Sequence, residues 1–276
     1  MRSQTSSGPE VGRGGKRRLR RDQVDITRLV RLVATVVIPT YRLLGKPVYQ
    51  GLENLPRTGA FVVTPNHTSE LDPMTVAMPL YEFGVNPTFL AKDSLFKIPV
   101  LGTILRRTAQ VPVHRGTADS VKALAAAQEH LASGGSVIIY PEGTLTRDPE
   151  QWPMHGFPGA ARLALAMNLP VIPVAHWGDE QILGRGPDPK RKRWFRPLPR
   201  KTVRVAFGPA VDLSAWAVDT DDVAGLSAQQ WLSAVPHGKT VAATHAIMND
   251  ITGLLAELRG EQPPAGRWDR RRAERR

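Results

Sequence analysis

Cysteine is absent from this chain of 276 residues. Its absence excludes disulfides, thiolate metal sites and a cysteine nucleophile, although it does not fix the compartment. Neither the HExxH pattern of zinc hydrolases nor the GxSxG pattern of common serine hydrolases occurs. Long apolar runs are also missing: the stretch Leu32–Pro39 is far below the ~20 residues that a membrane-spanning helix needs. The length suffices for one main domain with extensions, whose chemistry must come from other side chains.

Positive charge is abundant but unevenly distributed. The chain has 37 Lys and Arg against 25 Asp and Glu, a formal net charge of +12. Three segments, 1–21, 185–204 and 267–276, hold 22 of the basic residues and 4 of the acidic ones, so the remaining chain carries a net charge of −6. Such basic patches suit an anionic surface, either nucleic acid or membrane lipid. Solvated tails are the alternative for both termini.

Composition and periodicity divide the chain into five segments. Residues 1–21 are rich in Gly, Ser and Arg and predict a disordered basic tail. Residues 22–46 predict an amphipathic helix in the membrane interface, and a helix packed on its own domain is the alternative. Residues 47–212 predict the main domain, 213–260 a C-terminal helical extension, and 261–276 a loose basic tail.

Short apolar runs alternate with helical patterns through the main domain. The runs predict strands at Ala60–Thr64, Phe89–Ala91, Gln110–Val113, Val137–Tyr140, Pro170–Val174 and Val203–Phe207. Helical spacing lies between several of them. This alternation predicts an α/β domain with a mixed, largely parallel sheet flanked by helices. The functional site of such a domain is expected at the carboxyl ends of the strands.

A histidine and a carboxylate follow the first predicted strand. His67 and Asp72 are five residues apart, which on a common helix would separate them by about 140°. They can meet if His67 lies in the turn and Asp72 lies in the first turn of the next helix. Asp72 could then accept a hydrogen bond from one ring nitrogen and leave the other as a base. A turn that only satisfies its own backbone groups is the alternative.

Further polar groups follow other strands. Lys92 and Arg115 each come after one predicted strand, and Glu142–Thr144, with Arg147, come after another. We expect these groups to converge with His67 at one edge of the sheet. A histidine base beside several cations suits a substrate that carries a nucleophilic hydroxyl and a phosphate. Taken singly, each cation is better explained as a solvated surface charge; their shared placement is what argues for a common site.

Four blocks, in this order, resemble those of the glycerolipid acyltransferases, specifically the 1-acylglycerol-3-phosphate (lysophosphatidate) acyltransferase branch. Asn66–Asp72 resembles the NHxxxxD block, Val111–Arg115 is similar to the arginine-bearing block, Tyr140–Thr144 resembles the PEGT block, and Leu169–Val174 is similar to the proline-rich block. The blocks spread over residues 66–174. The likeness extends with less force from about residue 52 to residue 208.

The resemblance implies transfer of an acyl chain from acyl-CoA or acyl carrier protein to the free sn-2 hydroxyl of 1-acylglycerol-3-phosphate, giving phosphatidic acid. It implies the following roles: His67 as general base, Asp72 as its orienting partner, Lys92 and Arg115 on the acceptor's phosphate, and Asn66, Glu142, Gly143 and Thr144 in the acceptor site. The family commonly places Arg directly after the PEGT threonine, where this chain has Leu145. Arg147, two residues later, is the expected substitute.

A lipid hydroxyl needs a base as it attacks a thioester, and the carbonyl oxygen then gains negative charge. Backbone N–H groups after His67 are expected to stabilise that charge. No metal and no cofactor beyond the acyl donor are expected. The expected partners are a lysophospholipid, the acyl donor and an anionic membrane surface, with the protein peripheral or monotopic on the cytoplasmic face of the cell membrane. The sequence contains no nucleic-acid-binding motif, so nucleic acid is not an expected partner.

Two alternative functions remain open at this point. One is the same chemistry on a different lysophospholipid or a lyso-aminolipid, and the other is a membrane-binding module without catalysis. The segment Pro189–Pro197 mixes cations with Trp194 and Phe195 and predicts a loop resting on the bilayer; capture of CoA phosphates and a plain surface loop are its alternatives. The other histidines have no partner at an informative spacing in the sequence, and no role is assigned to them. They include His114, His130, His155, His176 and His237.

Overall fold

The computed structural model describes residues 28–113, 117–185, 193–218 and 228–276. Its strands are β1 (Gly45–Gln50), β2 (Phe61–Pro65), β3 (Thr88–Lys92), β4 (Val111–Val113), β5 (Ser136–Ile138), β6 (Val171–Trp177), β7 (Leu183–Arg185), β8 (Arg193–Phe195), β9 (Lys201–Phe207), β10 (Trp268–Asp269) and β11 (Glu274–Arg275). The helices are α1 (Arg28–Leu44), α2 (Asp72–Glu82), α3 (Asp93–Phe96), α4 (Leu101–Arg107), α5 (Thr117–Ala132), α6 (Gly159–Met167), α7 (Ala228–Ala234) and α8 (His237–Arg259). Short 3₁₀ turns span Leu52–Asn54 and Ser214–Trp216.

Seven strands form the main sheet, in the order β1-β9-β6-β2-β5-β3-β4. The five strands β6, β2, β5, β3 and β4 are parallel to one another. Strand β9 is antiparallel to β6, and β1 pairs with β9 in parallel. This arrangement confirms the predicted mixed, largely parallel sheet. It also places the carboxyl ends of β6, β2, β5 and β3 side by side at one edge.

The core has two layers because successive strand residues point to opposite faces of the sheet. Val62 and Val137 face a layer that includes α5, α6 and α8, whereas Val63 and Ile138 face a layer that includes α2. The central strands are buried on both faces, which is why they are nearly continuous apolar runs. Segment 213–260, expected as an extension, contributes Leu232, Val235, Ala243 and Ile247 to the first of these layers.

Helix α1 presents apolar side chains on two sides. Tyr41 is buried with Met78 of α2, so the helix packs on its own domain, as the alternative prediction proposed. On the other side Leu32, Val36 and Leu43 are 63%, 64% and 73% exposed. None of the helices in the described parts of the chain has both the length and the apolar character needed to cross a bilayer. The predicted residues 22–27 of this helix and the tail 1–21 lie outside the described residues.

The C-terminal segment differs from the predicted loose tail. Strands β10 and β11 form an antiparallel hairpin, in which Asp269 pairs with Glu274. Arg275 lies against Asp148, whose side chain is fully buried, with an ion pair of 2.7 Å and a hydrogen bond of 2.9 Å. Arg267 donates a hydrogen bond of 2.5 Å to Asn249 on α8. The expectation was wrong because Arg267, Arg270 and Arg275 find acceptors on the folded domain.

Candidate active site

The turn after β2 brings His67 and Asp72 together. Helix α2 begins at Asp72, and the Nδ1 atom of His67 lies 2.7 Å from Oδ2 of Asp72. The predicted placement of the histidine in the turn and the carboxylate in the first helical turn is therefore observed. The side chain of Asp72 is fully buried, whereas that of His67 is 19% exposed. A group that approaches from solvent can thus reach the imidazole but not the carboxylate behind it.

Asp72 also holds the backbone of this turn. Its Oδ2 accepts the N–H of Thr68 at 2.8 Å, and its Oδ1 accepts the N–H of Ser69 at 2.8 Å. The N–H of Leu71 donates to Oγ of Ser69, and the N–H of Asp72 donates to the Ser69 carbonyl. These bonds overturn part of the expected oxyanion stabilisation, because these backbone donors already have acceptors inside the turn.

Burial governs the charge of Asp72. Desolvation raises the pKa of Asp72 well above its usual value, and the nearby Asp179 adds to that rise, while His176 and the N–H of Thr68 act in the opposite direction. Ionised Asp72 therefore depends on its hydrogen-bond donors and on a positive charge nearby. An ionised Asp72 is what the imidazole of His67 needs in order to gain a proton.

Glu142 joins the turn after β2 to the loop after β5. Its Oε1 accepts the N–H of His67 at 3.1 Å, and its Oε2 accepts the N–H of Met154 at 3.0 Å. Thr146 adds a third link by donating its N–H to the His67 carbonyl at 2.7 Å. Burial raises the pKa of Glu142 to about 8, with the N–H donors of Met154 and His67 acting against that rise. The carboxyl group, fully buried, positions the backbone of His67.

Tyr140 supports the imidazole from one side. Its ring stacks on that of His67 with centroids 4.3 Å apart, and Phe89 stacks behind it at 6.4 Å. The Tyr140 hydroxyl is buried, and none of the residues that the structure describes forms a hydrogen bond with it. The sequence identifies Tyr140 only as part of the PEGT block and does not predict this contact. The signal was an aromatic residue at the end of the strand that precedes the block.

Asn66 is turned toward β6 rather than toward solvent. Its Nδ2 donates to the His176 carbonyl at 3.1 Å, and its Oδ1 accepts the His176 N–H at 2.9 Å. Only 1% of Asn66 is exposed. The side chain therefore connects the end of β2 to β6. Its polar atoms are buried in these two bonds, so they are not exposed to an acceptor as predicted.

Of the three predicted phosphate-binding cations, the structure describes Lys92 and Arg147. Lys92 is exposed at the carboxyl end of β3, and β3 lies two strands from β2, a spacing of roughly 10 Å between the two strands. Arg147 is exposed and directly follows Thr146, the residue bonded to the His67 carbonyl. Arg115 lies outside the described residues. Thr144 and Gly143 are partly exposed in the loop after β5, and a side chain at Gly143 would contact the ring of Phe157.

A second buried pair lies behind Asp72. His176 and Asp179 are fully buried, and Nδ1 of His176 lies 3.1 Å from Oδ1 of Asp179. Together with Asp72 they offer three possible metal-ligating atoms within 4.8 Å of one another. However, both ring nitrogens of His176 contact oxygen acceptors, since Nε2 lies 2.9 Å from the Asn66 carbonyl. While those bonds hold, the ring has no lone pair for a metal ion.

The C-terminal segment covers the loop after β5. The guanidinium of Arg270 lies 4.2 Å from the ring centroid of Phe157, and its Nη1 donates to the Glu142 carbonyl at 3.3 Å. Arg259 of α8 stacks on Trp152 of the same loop at 4.1 Å and on Trp177 of β6 at 4.4 Å. The loop that holds the backbone of His67 is thus itself held from the C-terminal side.

About half of this chain is similar to known acyltransferases. Residues 46–177 match the family model described as Acyltransferase. A chloroplastic 1-acyl-sn-glycerol-3-phosphate acyltransferase of Brassica napus is 34% identical over 139 residues, which is 50% of this chain and 39% of the relative. A 1-acyl-sn-glycerol-3-phosphate acyltransferase of Borreliella burgdorferi is 29% identical over 133 residues, covering 47% of this chain and 50% of the relative. This chain thus spans between about two fifths and one half of the length of these relatives.

A solved structure resembles the whole architecture. The crystal structure of the 1-acyl-sn-glycerophosphate acyltransferase of Thermotoga maritima superposes with a TM-score of 0.54 at 19% identity, over 85% of this chain and 81% of that one. That likeness agrees with the fold described above. The family match contains His67, Asp72 and the Glu142 loop, the residues that the structure brings together. Residues 46–177 of this chain therefore resemble the acyltransferase family model, and the same part of the chain is similar to 1-acyl-sn-glycerol-3-phosphate acyltransferases.

Proposed function

We propose that this chain transfers an acyl group from a thioester donor, acyl-CoA or acyl carrier protein, to the sn-2 hydroxyl of 1-acylglycerol-3-phosphate. The observation that carries the proposal is the contact of 2.7 Å between Nδ1 of His67 and Oδ2 of Asp72 at the carboxyl edge of the sheet. The names of the relatives from Brassica napus and Borreliella burgdorferi support this choice of acceptor. The product is phosphatidic acid.

The reaction follows from the orientation of the His67 ring. Nδ1 is committed to Asp72, so proton transfer falls to Nε2. Nε2 takes the proton of the acceptor hydroxyl as its oxygen attacks the thioester carbonyl carbon, a step to which general-base catalysis typically contributes about 10² to 10⁴ in rate. The tetrahedral intermediate then collapses with cleavage of the carbon–sulfur bond. The departing sulfur takes the proton back from His67, so the products are the ester and a free thiol.

Asp72 acts through His67. Its buried carboxylate fixes the tautomer that has a proton on Nδ1, and it stabilises the imidazolium that forms during attack. Glu142 holds the His67 backbone, and Tyr140 holds the ring. The acceptor supplies the nucleophilic oxygen, so the protein needs no nucleophile of its own.

Exposed cations favour an acceptor with a phosphate headgroup. Lys92 and Arg147 border the same edge of the sheet as His67, and both side chains are exposed to solvent. An anionic headgroup bound there would leave the glycerol hydroxyl near the imidazole. Another lysophospholipid or a lyso-aminolipid as acceptor is the alternative, with the same chemistry at His67.

The test is a substrate panel with two readouts. Purified protein is incubated with oleoyl-CoA or oleoyl-carrier protein and with lysophosphatidate, lysophosphatidylcholine or monooleoylglycerol. We expect free thiol and diacyl product to appear in equal amounts, fastest with lysophosphatidate. Thiol release without a lipid product would mean hydrolysis. Lipid association without thiol release would contradict the proposal and support a non-catalytic module.

We further propose that the protein acts while bound to the cytoplasmic face of the cell membrane. Leu32, Val36 and Leu43 lie within about 40° of one another around α1 and form an exposed apolar stripe. Phe195 and Leu198 are also exposed, and Arg193 and Arg196 lie beside them. Apolar side chains next to cations are typical of an interface with anionic lipid. Lys190–Lys192, also predicted to rest on the bilayer, lie outside the described residues.

Vesicle flotation tests the membrane proposal. A variant with Leu32→Glu and Val36→Glu should lose binding to vesicles that contain phosphatidylglycerol, because both charges would enter the apolar stripe. The matched control carries Gln50→Glu and Gln262→Glu, which add the same charge at exposed positions outside α1. Equal flotation of both variants would remove α1 from the membrane contact.

A further inference from the structure

The pair His176–Asp179 has no part in the mechanism above, yet it lies directly behind the proposed orienting carboxylate. His176 is in β6, and Asp179 is three residues later in the turn that follows it. Nε2 of His176 lies 3.5 Å from Oδ2 of Asp72, the same oxygen that contacts His67. The four side chains therefore form a continuous series from the surface into the core: His67, Asp72, His176 and Asp179.

The contacts of His176 define its protonation state. Nε2 lies 2.9 Å from the Asn66 carbonyl, which is an acceptor only. Nδ1 lies 3.1 Å from the carboxylate of Asp179. Because His176 lowers the pKa of Asp179, Asp179 is ionised and only accepts; both ring nitrogens then carry a proton, and His176 is an imidazolium. Its positive charge is enclosed between the carboxylates of Asp72 and Asp179.

Other groups fix this arrangement from the neighbouring helices. Oγ1 of Thr75 on α2 donates to Oδ2 of Asp179 at 2.9 Å. The Tyr41 hydroxyl of α1 lies 2.6 Å from Oγ1 of Thr75. The reciprocal bonds of Asn66 to the backbone of His176 hold the imidazolium in register with the turn that carries His67. Each of these contacts is buried, so the positions of the charges are defined by the fold.

The titratable groups that act on this pair come from four directions. Tyr41 is on α1, Asp72 is on α2, Asp179 and Glu180 are on the turn after β6, and Glu142 and Tyr140 are after β5. Burial would lower the pKa of His176, but Asp179 and Asp72 raise it to about 10. Burial would raise the pKa of Asp179, but His176 lowers it to about 2. These directions agree with the protonation state that the hydrogen bonds define.

We propose that His176 and Asp179 are a positioning pair, in which the imidazolium of His176 keeps Asp72 ionised so that Asp72 can stabilise the imidazolium formed at His67. Without the positive charge, Asp72 would be a buried carboxyl group with only two backbone donors and His67 as partners. A protonated Asp72 could not compensate the charge that develops on His67. Asp179 in turn prevents His176 from losing its proton to the buried surroundings.

This inference rests on the proposed acyl transfer, but its first test does not depend on turnover. Nuclear magnetic resonance of the full chain with ¹⁵N-labelled histidine reports the protonation of each ring. The His176 signals are assigned by their loss in His176→Gln. We expect both ring nitrogens of His176 to remain protonated at about pH 8, where an ordinary histidine is neutral. A neutral ring at that pH would overturn the positioning pair and leave the acyltransferase proposal untouched.

Kinetics give the second test. At about pH 7, His176→Gln should lower kcat roughly tenfold or more while KM for the acceptor stays within about threefold, since the substrate does not touch His176. Raising the pH should restore part of kcat, because Asp72 then ionises without help. A loss that is equal at every pH, or an unchanged kcat, would contradict the proposal. The matched control is His130→Gln on α5, away from the site, for which we expect wild-type kcat at each pH.

Asp179→Asn separates charge from packing. The amide keeps the size of the side chain and can still accept from Nδ1 of His176, but it removes the negative charge that holds the proton. We expect its kcat to fall less than that of His176→Gln, and the His176 signals to show a neutral ring at a lower pH than in the wild type. Wild-type titration of His176 in this variant would refute the role of Asp179. If wild-type protein shows no thiol release with any acceptor, the acyl-transfer proposal fails, and the protonation test still stands.

Discussion

The carboxylate of Glu142 accepts the backbone N–H of His67 at 3.1 Å across a sequence separation of 75 residues. Its second oxygen accepts the N–H of Met154 at 3.0 Å. One buried side chain thus connects the turn after β2 to the loop after β5. The position of the imidazole consequently depends on a residue that the sequence analysis expected in contact with the acceptor.

Replacement of Glu142 by Ala should reduce both stability and activity. Two buried N–H groups would lose their acceptor, at about 1–3 kcal/mol each. Urea titration should show that loss in the free energy of unfolding, and kcat should fall because the His67 backbone is no longer held. Glu142→Gln is the matched variant, since its amide oxygen can accept one of the two N–H groups. It should lie between the wild type and Glu142→Ala; equal stability of all three would contradict the assignment.

Tyr140 offers a sharper separation of ring and hydroxyl. Tyr140→Phe keeps the stack on His67 and removes a buried hydroxyl that forms no hydrogen bond with the described residues, so we expect unchanged kcat and equal or slightly higher stability. Tyr140→Leu keeps an apolar side chain but removes the stack, and kcat should fall. Steady-state kinetics with thiol detection would measure both. A loss of activity in Tyr140→Phe would show that the hydroxyl, not the ring, is needed.

Arg147 should affect acceptor affinity rather than turnover. The residue is exposed and next to Thr146, which is bonded to the His67 carbonyl. If it binds the acceptor's phosphate, Arg147→Gln should raise KM for lysophosphatidate and leave kinetics with monooleoylglycerol, which has no phosphate, unchanged. Lys92→Gln tests the other exposed cation in the same way. Equal effects on both acceptors would remove phosphate binding from the residue.

The pH dependence of stability follows from His176. The carboxylates of Asp179 and Asp72 outweigh burial and raise its pKa from 6.5 to about 10. The folded state therefore retains a proton that the unfolded state releases above pH 6.5. The stabilisation is complete below that pH and is lost as the pH rises toward 10.

Urea titrations at about pH 7 and about pH 9.5 should show a decline in the free energy of unfolding that is larger in wild type than in His176→Gln. Glu142, whose pKa is raised to about 8, contributes a decline of the same sign to both proteins. The difference between the two declines therefore reports His176 together with its lowering of the pKa of Glu142. Parallel declines would show that His176 does not hold its extra proton in the folded state.

The sequence predicted the central strands because both of their faces are buried and each is an apolar run. Strand β1 was missed for the opposite reason. It contains Gly45 and Pro47, alternates in exposure, and pairs only with β9 at the end of the sheet. A proline is acceptable in such an edge strand. The reversal of direction between β6 and β9 depends on tertiary packing and has no local signal in the sequence.

Site residues followed the same division between local and long-range contacts. His67 and Asp72 were predictable because they are only five positions apart in the sequence. His176 was assigned no role in the sequence analysis, because two of its contacts, Asp72 and Asn66, are about a hundred residues away, with Asn66 at a separation of 110. Asp179, three residues after it, was the available local signal. Glu142 was identified by its block, but its direction toward the His67 backbone required the fold.

The account depends most on His67 as the base. The direct measurement is acyl transfer from oleoyl-CoA to lysophosphatidate by His67→Ala. Asp72→Asn is the matched variant, because it keeps the imidazole. Circular dichroism checks that both variants remain folded. We predict that His67→Ala lowers kcat by at least about 100-fold and that Asp72→Asn also lowers it, with KM little changed. A folded His67→Ala protein that retains more than about a tenth of wild-type kcat would contradict the account.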